Sequence, residues 1–209
     1  MRLLIAGAGG RTGRLVVRLA LDHGHDVTAF VHVASEAPAA HARLSVAVGD
    51  ARDPAVVAPI VPGHDAIVSV LSHPGAAEVT VFSQGTRALA DAAESAGVRR
   101  FVAVSAEPVG IDPARLPFAF QAVLLLPRLH VVYEDMARME RELVVRDALE
   151  WTIVRPAVLT AMPARGRYRT VTGDLVQGGV TLSRGDLAAF LLRVVEERLH
   201  VRERVAIAD

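Results

Sequence analysis

The stretch Leu3-Leu4-Ile5-Ala6-Gly7-Ala8-Gly9-Gly10-Arg11-Thr12-Gly13 decides the fold, because a short apolar run passes directly into a glycine-rich turn. The spacing of Gly7, Gly10 and Gly13 allows a tight turn, close approach of the backbone to a phosphate, and close packing of the next helix. The free N–H groups and the positive dipole end of that helix then face the anion. The sequence therefore predicts a strand, a phosphate-binding turn and a helix, with a nucleotide as the ligand. A purely structural turn is the alternative interpretation.

Apolar strand-like runs alternate with amphipathic helical patterns along the rest of the chain. The predicted later strands are 26–31, 44–48, 66–71, 100–105, 151–155 and 204–208, and the predicted helices are 12–20, 79–96, 129–147 and 184–197. This alternation is typical of right-handed βαβ units and a parallel sheet that is covered on both faces. We predict an α/β fold with a Rossmann-like, doubly wound parallel sheet, in a single domain of residues 1–209.

Two longer stretches, about residues 106–128 and 156–183, interrupt this alternation; the first is rich in proline and the second in glycine, arginine and threonine. Both follow the carboxyl ends of predicted strands, where open α/β sheets bind their ligands. Long loops in a compact domain are usually functional or disordered. We therefore predict that both stretches cover the substrate; surface connections without a role are the alternative.

The composition narrows the classes of partner. The chain has 23 basic and 23 acidic residues and no cysteine. The balanced charge argues against nucleic acid as a partner, and the absence of cysteine excludes a disulfide scaffold, a thiolate zinc site and a cysteine nucleophile. No apolar run has membrane-spanning length, and the first residues do not resemble a signal peptide. We expect a cytoplasmic protein that does not bind membranes.

The end of the second predicted strand bears on the choice of nucleotide. In dinucleotide folds an acidic residue there accepts hydrogen bonds from a ribose 2′-hydroxyl, and Phe30-Val31-His32 contains none. Arg11, inside the glycine turn, can reach a 2′-phosphate with two parallel hydrogen bonds, and His32 can add another. The alternatives are a solvated loop arginine and a surface histidine. Together these residues favour NADP(H) as the cofactor.

Six stretches carry a family resemblance that covers nearly the whole chain: 7–13, 48–50, 65–68, 97–102, 135–140 and 151–156. In these stretches the chain resembles the atypical short-chain dehydrogenases/reductases of the NAD(P)H-binding, NmrA-like type, and most of all the biliverdin reductase B/flavin reductase proteins. As a set the motifs are specific for the superfamily. They are much less specific for one reaction.

The resemblance implies a set of cofactor-binding residues. It places Asp50 and Ala51 beside the adenine and Ser105 near the nicotinamide, whereas the alternative for Asp50 is a turn-forming aspartate after a strand. The full predicted set is Gly7, Gly9, Gly10, Arg11, Thr12, Gly13, His32, Asp50, Ala51, Ser69, Val70, Leu71 and Ser105.

The catalytic groups of the family are only partly present. Typical short-chain dehydrogenases pair a tyrosine with a lysine four residues later, but Tyr133 is followed at that spacing by Ala137. A serine and a histidine of the flavin reductase-like relatives align with Ala106 and Val158, and His32 stands where those relatives often have arginine. Ser105 is our first candidate proton donor and Tyr133 the second.

The histidines are weaker candidates. His73 and His130 rank below Ser105 and Tyr133 as proton donors. His23 and His25 lack partners at metal-ligand spacing in the sequence. We therefore predict surface histidines at these two positions and no metal site.

Three functions remain open. The first is an NADPH-dependent oxidoreductase that reduces a planar conjugated small molecule such as a flavin, a quinone or an aromatic polyketide-like compound. The second is an isomerase or epimerase that uses NADP without net redox change. The third is a non-catalytic protein that senses the redox state of NADP(H). We expect a monomer or a small homo-oligomer with a small-molecule substrate.

Overall fold

The structure is a computed structural model that describes residues 1–73, 79–112, 115 and 126–209. Strands and helices alternate along most of these residues. In chain order they are β1 (Arg2–Ala6), α1 (Gly13–Asp22), β2 (Asp26–Val31), β3 (Leu44–Val48), α2 (Pro54–Val57), β4 (Ala66–Ser69), α3 (Val81–Ala96), β5 (Arg100–Val104), α4 (Pro127–Val144), β6 (Glu150–Pro156), β7 (Val158–Thr160), β8 (Arg169–Thr172), β9 (Thr181–Ser183), α5 (Arg184–Glu196) and β10 (Glu203–Ala208).

The main sheet has the strand order β3-β2-β1-β4-β5-β6-β10-β8. All of its neighbours are parallel except β10 and β8, which are antiparallel. Leu3 of β1 pairs with Val27 of β2 on one side and with Ala66 of β4 on the other. The chain order therefore reverses at β1, and the carboxyl ends of β1 and β4 form the crevice where doubly wound sheets bind ligands.

Helices cover both faces of the sheet. Leu3 and Ile5 of β1 belong to the core shared with α1 and α5, whereas Leu4 and Ala6 belong to the core shared with α3 and α4. All four side chains are fully buried. Successive residues of a strand point to opposite faces, so an unbroken apolar run is what a strand between two helical layers requires. The α/β class and the Rossmann-like order predicted from the sequence are confirmed.

The ends of the elements follow local chemistry. Gly97 has φ of 72° and occupies the left-handed position after α3. Ser183 caps α5, because it accepts a hydrogen bond from the Asp186 backbone N–H at 2.9 Å. Boundaries differ by a few residues: β4 ends at Ser69 and α4 runs from 127 to 144.

The two predicted loops have different outcomes. The stretch 156–183 is not an irregular loop, because it carries β7, β8 and β9. β8, with the sequence Arg-Thr-Val-Thr, extends the main sheet beside β10, and β7 pairs with β9 in a small parallel sheet. Strands of three or four residues give too short a pattern to stand out in a sequence. Residues 113–114 and 116–125 of the other predicted loop lie outside the described residues.

Candidate functional site

The glycine turn after β1 is shaped by close backbone contacts. Gly7 has φ of +82°, and a Cβ at this position would lie 2.5 Å from the carbonyl oxygen of Val70. A Cβ at Gly13 would lie 2.1 Å from the Gly7 oxygen. The backbone N–H groups of Gly7 and Ala8 donate to the Phe30 oxygen at 3.0 and 3.1 Å. The turn is thus held between the ends of β2 and β4, and glycine is required at both positions.

A cleft opens beside this turn at the crevice between β1 and β4. It has a volume of about 920 Å³, which includes open solvent at its mouth. The cleft is lined by Gly7, Gly9, Gly10, Phe30, Val31, His32, Glu36, Gly49, Asp50, Ala51, Arg52, Leu71, Ser72, His73, Thr80 and Val81.

Asp50 and Arg52 form a fixed ion pair on one wall. The Arg52 guanidinium donates to both carboxylate oxygens of Asp50, with a shortest distance of 2.6 Å, and the Arg52 backbone N–H donates to Asp50 Oδ1 at 2.9 Å. The hydrogen bonds from the Arg52 side chain lower the pKa of Asp50 to about 2, although burial opposes the shift. Asp50 therefore remains an acceptor at neutral pH. Asp50 thus both forms a turn, through its hydrogen bond from the Arg52 backbone N–H, and lines the cleft.

Glu36 is a residue of the cleft that the sequence argument missed. It ends a short 3₁₀ turn after β2, and a Cβ on Gly9 would lie 2.6 Å from the Glu36 Cβ and 3.0 Å from its Oε2. Arg14 donates to the Gly9 carbonyl at 2.7 Å and to the Glu36 carbonyl at 3.3 Å. An acid is thus brought back to the glycine turn from beyond His32. Dinucleotide folds place the acid that contacts the ribose at the end of the second strand, and Glu36 lies beyond that end. Near the turn, Arg14 is the residue whose side chain joins Gly9 to Glu36.

The predicted cofactor residues divide into two groups. Those that line the cleft are Gly7, Gly9, Gly10, His32, Asp50, Ala51 and Leu71. Those that do not line it are Arg11, Thr12, Gly13, Ser69, Val70 and Ser105. Ser69 and Val70 are buried at the end of β4, where the Val70 carbonyl packs beneath Gly7. Their position supports the turn from below.

Arg11 lies at the mouth of the turn with a second arginine nearby. Arg11 is exposed, and Arg184 is the first residue of α5. Partial burial lowers the pKa of Arg184, and the positive charge of Arg11 lowers it further. Neither guanidinium forms an ion pair within the part of the chain that the structure describes. Two uncompensated cations beside a helix N-terminus favour an anionic ligand.

The predicted catalytic residues occupy separate elements. Ser105 follows β5 directly, its side chain is 3% exposed, and its Oγ has no hydrogen-bond partner among the described residues. Tyr133 is half-buried on α4, and burial raises the pKa of its phenol. No hydrogen bond joins these two side chains in the described residues. His73 lines the cleft. His130 lies on α4, where its Nε2 is 3.2 Å from Glu134 Oε1.

Glu107 is a second acid that the sequence argument missed. Its side chain is buried, and burial raises the pKa of its carboxyl group. Its Oε1 accepts a hydrogen bond from the Val176 backbone N–H at 2.9 Å. Glu107 therefore joins the segment after β5, where Ser105 lies, to the segment between β8 and β9.

Comparison with known proteins gives matches over most of the chain. A family model described as NAD(P)H-binding matches residues 7–198. A 3β-hydroxysteroid dehydrogenase/Δ5→4-isomerase from Mycobacterium tuberculosis is 28% identical in an alignment 206 residues long, which covers 91% of this chain and 55% of that protein. A 3β-hydroxysteroid dehydrogenase from Mycolicibacterium neoaurum is 35% identical in an alignment 120 residues long, which covers 52% of this chain and 32% of that protein. The chain thus spans about half or less of the length of these relatives.

Solved structures share the fold over the full chain. An oxidoreductase from Lactococcus lactis superposes with a TM-score of 0.86 at 21% identity and covers 100% of this chain and 91% of its own. A short-chain dehydrogenase/reductase from Veillonella parvula in complex with NADP superposes with a TM-score of 0.83 at 17% identity, and the match covers 100% of this chain and 94% of that chain. A candidate NADH-flavin reductase from Streptococcus pneumoniae superposes with a TM-score of 0.82 at 21% identity, and the match covers 100% of this chain and 99% of that chain. Within the described residues, no helix is both long and apolar enough to cross a membrane.

Proposed function

Because the chain belongs to the NAD(P)H-binding family, we propose that it is an oxidoreductase that uses NADPH to reduce a planar, conjugated small molecule. Flavins, quinones and aromatic polyketide-like compounds are the acceptors in this class. The observation that carries the proposal is the cleft beside the glycine turn, at the point where the strand order reverses. The turn requires glycine at Gly7, which has positive φ and lies against Val70, and at Gly13, where α1 packs closely on Gly7, as the strand-turn-helix of a dinucleotide site does.

The residues present fit a dinucleotide. Backbone N–H groups at the start of α1, with Arg11 and Arg184 nearby, would hold the diphosphate. Asp50 and Ala51 would lie beside the adenine, and Ser105 would lie on the nicotinamide side. When bound, the nicotinamide supplies a hydride. The protein supplies orientation and polarity around it.

The remaining side chains favour an acceptor that needs little acid catalysis. Ala137 replaces the lysine that would lower the phenol pKa of Tyr133, and burial raises that pKa instead. Tyr133 thus keeps its proton at neutral pH and can donate a hydrogen bond but cannot act as a base. The Ser105 Oγ is buried and has no hydrogen-bond partner among the described residues, so its hydrogen-bonding capacity is not used there. Hydride transfer to a flat ring gains most from proximity and alignment, which such a site provides.

The preference for NADPH over NADH rests on the cationic residues. His32, which lines the cleft, would contact the 2′-phosphate, and Arg11, which is exposed at the glycine turn, would add positive charge nearby; the Veillonella parvula neighbour was solved with NADP. Glu36 acts in the opposite direction, because its carboxylate repels a phosphate and accepts hydrogen bonds from a ribose hydroxyl. The balance of these charges makes the preference for NADPH a moderate one.

The test combines cofactor binding with turnover. Fluorescence titrations should show tighter binding of NADPH than of NADH, and NADPH should be oxidised in the presence of FMN or a quinone. Ser105→Ala should retain NADPH affinity and lower turnover by about 100-fold if Ser105 donates to the acceptor. Thr86→Val is the matched control, because Thr86 Oγ1 is also buried without a partner among the described residues but lies on α3 rather than at the carboxyl end of β5. Undetectable binding of both cofactors would overturn the proposal.

A second candidate is an isomerase, and the name of the Mycobacterium tuberculosis relative favours it. It predicts conversion of a substrate with bound NADP and no net consumption of NADPH. A third candidate, the redox-sensing protein, is favoured by the missing polar groups at Ala106, Ala137 and Val158. It predicts cofactor binding without turnover of any acceptor and affinity for another protein that depends on the cofactor's redox state.

A further inference from the structure

A cluster of metal-ligating side chains lies at the amino ends of the strands, opposite the carboxyl ends that form the cofactor cleft. It consists of His23, His25 and Glu196, and the candidate ligand atoms of these residues all lie within 4.8 Å of one another. The histidines lie between α1 and β2, and Glu196 is the last residue of α5. His23 is exposed, as predicted, whereas His25 is buried, and Glu196 lies within hydrogen-bond distance of both rings.

The two rings are aimed at one oxygen. His23 Nδ1 lies 2.9 Å and His25 Nε2 lies 2.7 Å from the same atom, Glu196 Oε1. A ligand set of two imidazoles and one carboxylate is typical of zinc and related ions.

The surroundings also favour a cation. His23 is the C-terminal cap of α1, and Glu196 ends α5, so the negative dipole ends of two helices meet at the cluster. The three side chains are 50%, 11% and 28% exposed, so an ion can enter and water can complete its coordination. No other group of three or more histidine and acidic side chains within the described residues meets the same geometry.

We propose that His23, His25 and Glu196 form a binding site for a divalent transition-metal ion of the zinc class. In a tetrahedral site with bonds of about 2.1 Å, neighbouring ligand atoms are about 3.4 Å apart. The side chains therefore move apart by about half an ångström when the ion replaces the shared protons. The ion ties the connection between α1 and β2 to the end of α5.

The second ring nitrogen of His25, Nδ1, faces the Met1 nitrogen and not the cluster. His25 Nδ1 lies 3.2 Å from the Met1 nitrogen. A metal on Nε2 requires the proton of a neutral imidazole to be on Nδ1. Because the ligand atoms must be unprotonated, metal binding is accompanied by proton release.

The experiment is a calorimetric titration of the full chain with ZnCl₂, after removal of any affinity tag and treatment with a chelator. We expect saturable binding of one zinc ion per chain. Because even outer-shell partners contribute about 10- to 100-fold to metal affinity, His23→Ala and Glu196→Gln should each weaken binding by about 100-fold. His41→Ala, an exposed histidine outside the cluster, should leave zinc binding unchanged.

Two further measurements keep the outcome decisive. NADPH titration and circular dichroism show whether each variant is folded, and the visible absorption of the Co²⁺ form should change in His23→Ala. Zinc binding that is absent from the wild type, or equal in the wild type and His23→Ala, would overturn the proposal. Unchanged zinc binding in a protein that fails to bind NADPH would instead overturn only the proposed function.

Discussion

At the level of single residues, opposite charges flank the glycine turn. Arg11 is exposed at the glycine turn, and Glu36 lies against Gly9 within the cleft. A 2′-phosphate would be attracted by the first and repelled by the second. The choice between NADPH and NADH therefore depends on a small difference between two exposed charges.

Neutralising Glu36 should shift this choice. We expect Glu36→Gln to tighten NADPH binding by about three- to fivefold, the size of one exposed charge interaction, and to leave NADH binding nearly unchanged. Arg11→Ala should weaken NADPH binding by a similar factor. Glu197→Gln is the control, because Glu197 pairs with Arg193 at the far end of α5. Equal changes for both cofactors in fluorescence titrations would contradict this assignment of Glu36.

At the level of elements, the start of α3 is held by a residue of α4. Asp135 is fully buried, and its Oδ2 accepts hydrogen bonds from the backbone N–H groups of Phe82 and Ser83 at 2.9 and 3.2 Å. The Ser83 hydroxyl also donates to Asp135. The carboxylate therefore caps α3 from another helix, close to the cleft residues Thr80 and Val81.

Removal of this cap should be costly. Asp135→Ala leaves two backbone donors without a partner, so we expect unfolding in urea to require about 3 kcal/mol less free energy. Ser83→Ala removes one hydroxyl and keeps both backbone contacts, so its cost should be about 1 kcal/mol. Similar losses in the two variants would show that the carboxylate is not the main support of α3.

Glu107 predicts a pH dependence between elements. Because burial raises the pKa of its carboxyl group above the ordinary 4.5, the folded state keeps this proton at pH values where the unfolded chain loses it. The stability contributed by Glu107 is therefore complete below pH 4.5 and is lost as the pH rises through the higher folded-state pKa. Glu107→Gln should reduce this fall in stability, as measured by urea unfolding at pH 5 and 7.5. A fall of the same slope in the variant would assign the effect to other groups.

At the level of the whole molecule, the sequence predicted what local patterns encode. Strands buried on both faces, the glycine turn, and the ends of α3 and α5 each depend on a few consecutive residues. Glu36 reaches Gly9, and Glu196 reaches His23, only through tertiary contacts across many residues of chain. β8 is four residues long and is stabilised by pairing with β10, so its own sequence carries little signal. Local patterns predicted the fold well, whereas the charged groups that modify the sites required the packed structure.

The two candidate sites lie at opposite ends of the strands of one sheet. We therefore predict that their ligands act independently on stability. α1 separates the glycine turn from His23 by ten residues of helix, a length of about 15 Å. At about 100 times its dissociation constant, each ligand should add about 2.7 kcal/mol to the free energy of unfolding. For a chain of this size that corresponds to a rise in melting temperature of about 5–10 °C per ligand. Thermal melts with NADPH, with ZnCl₂ and with both should show additive shifts, and His23→Ala should lose the zinc shift alone. Shifts that are clearly less or more than additive would show that the two sites are coupled through α1 or α5.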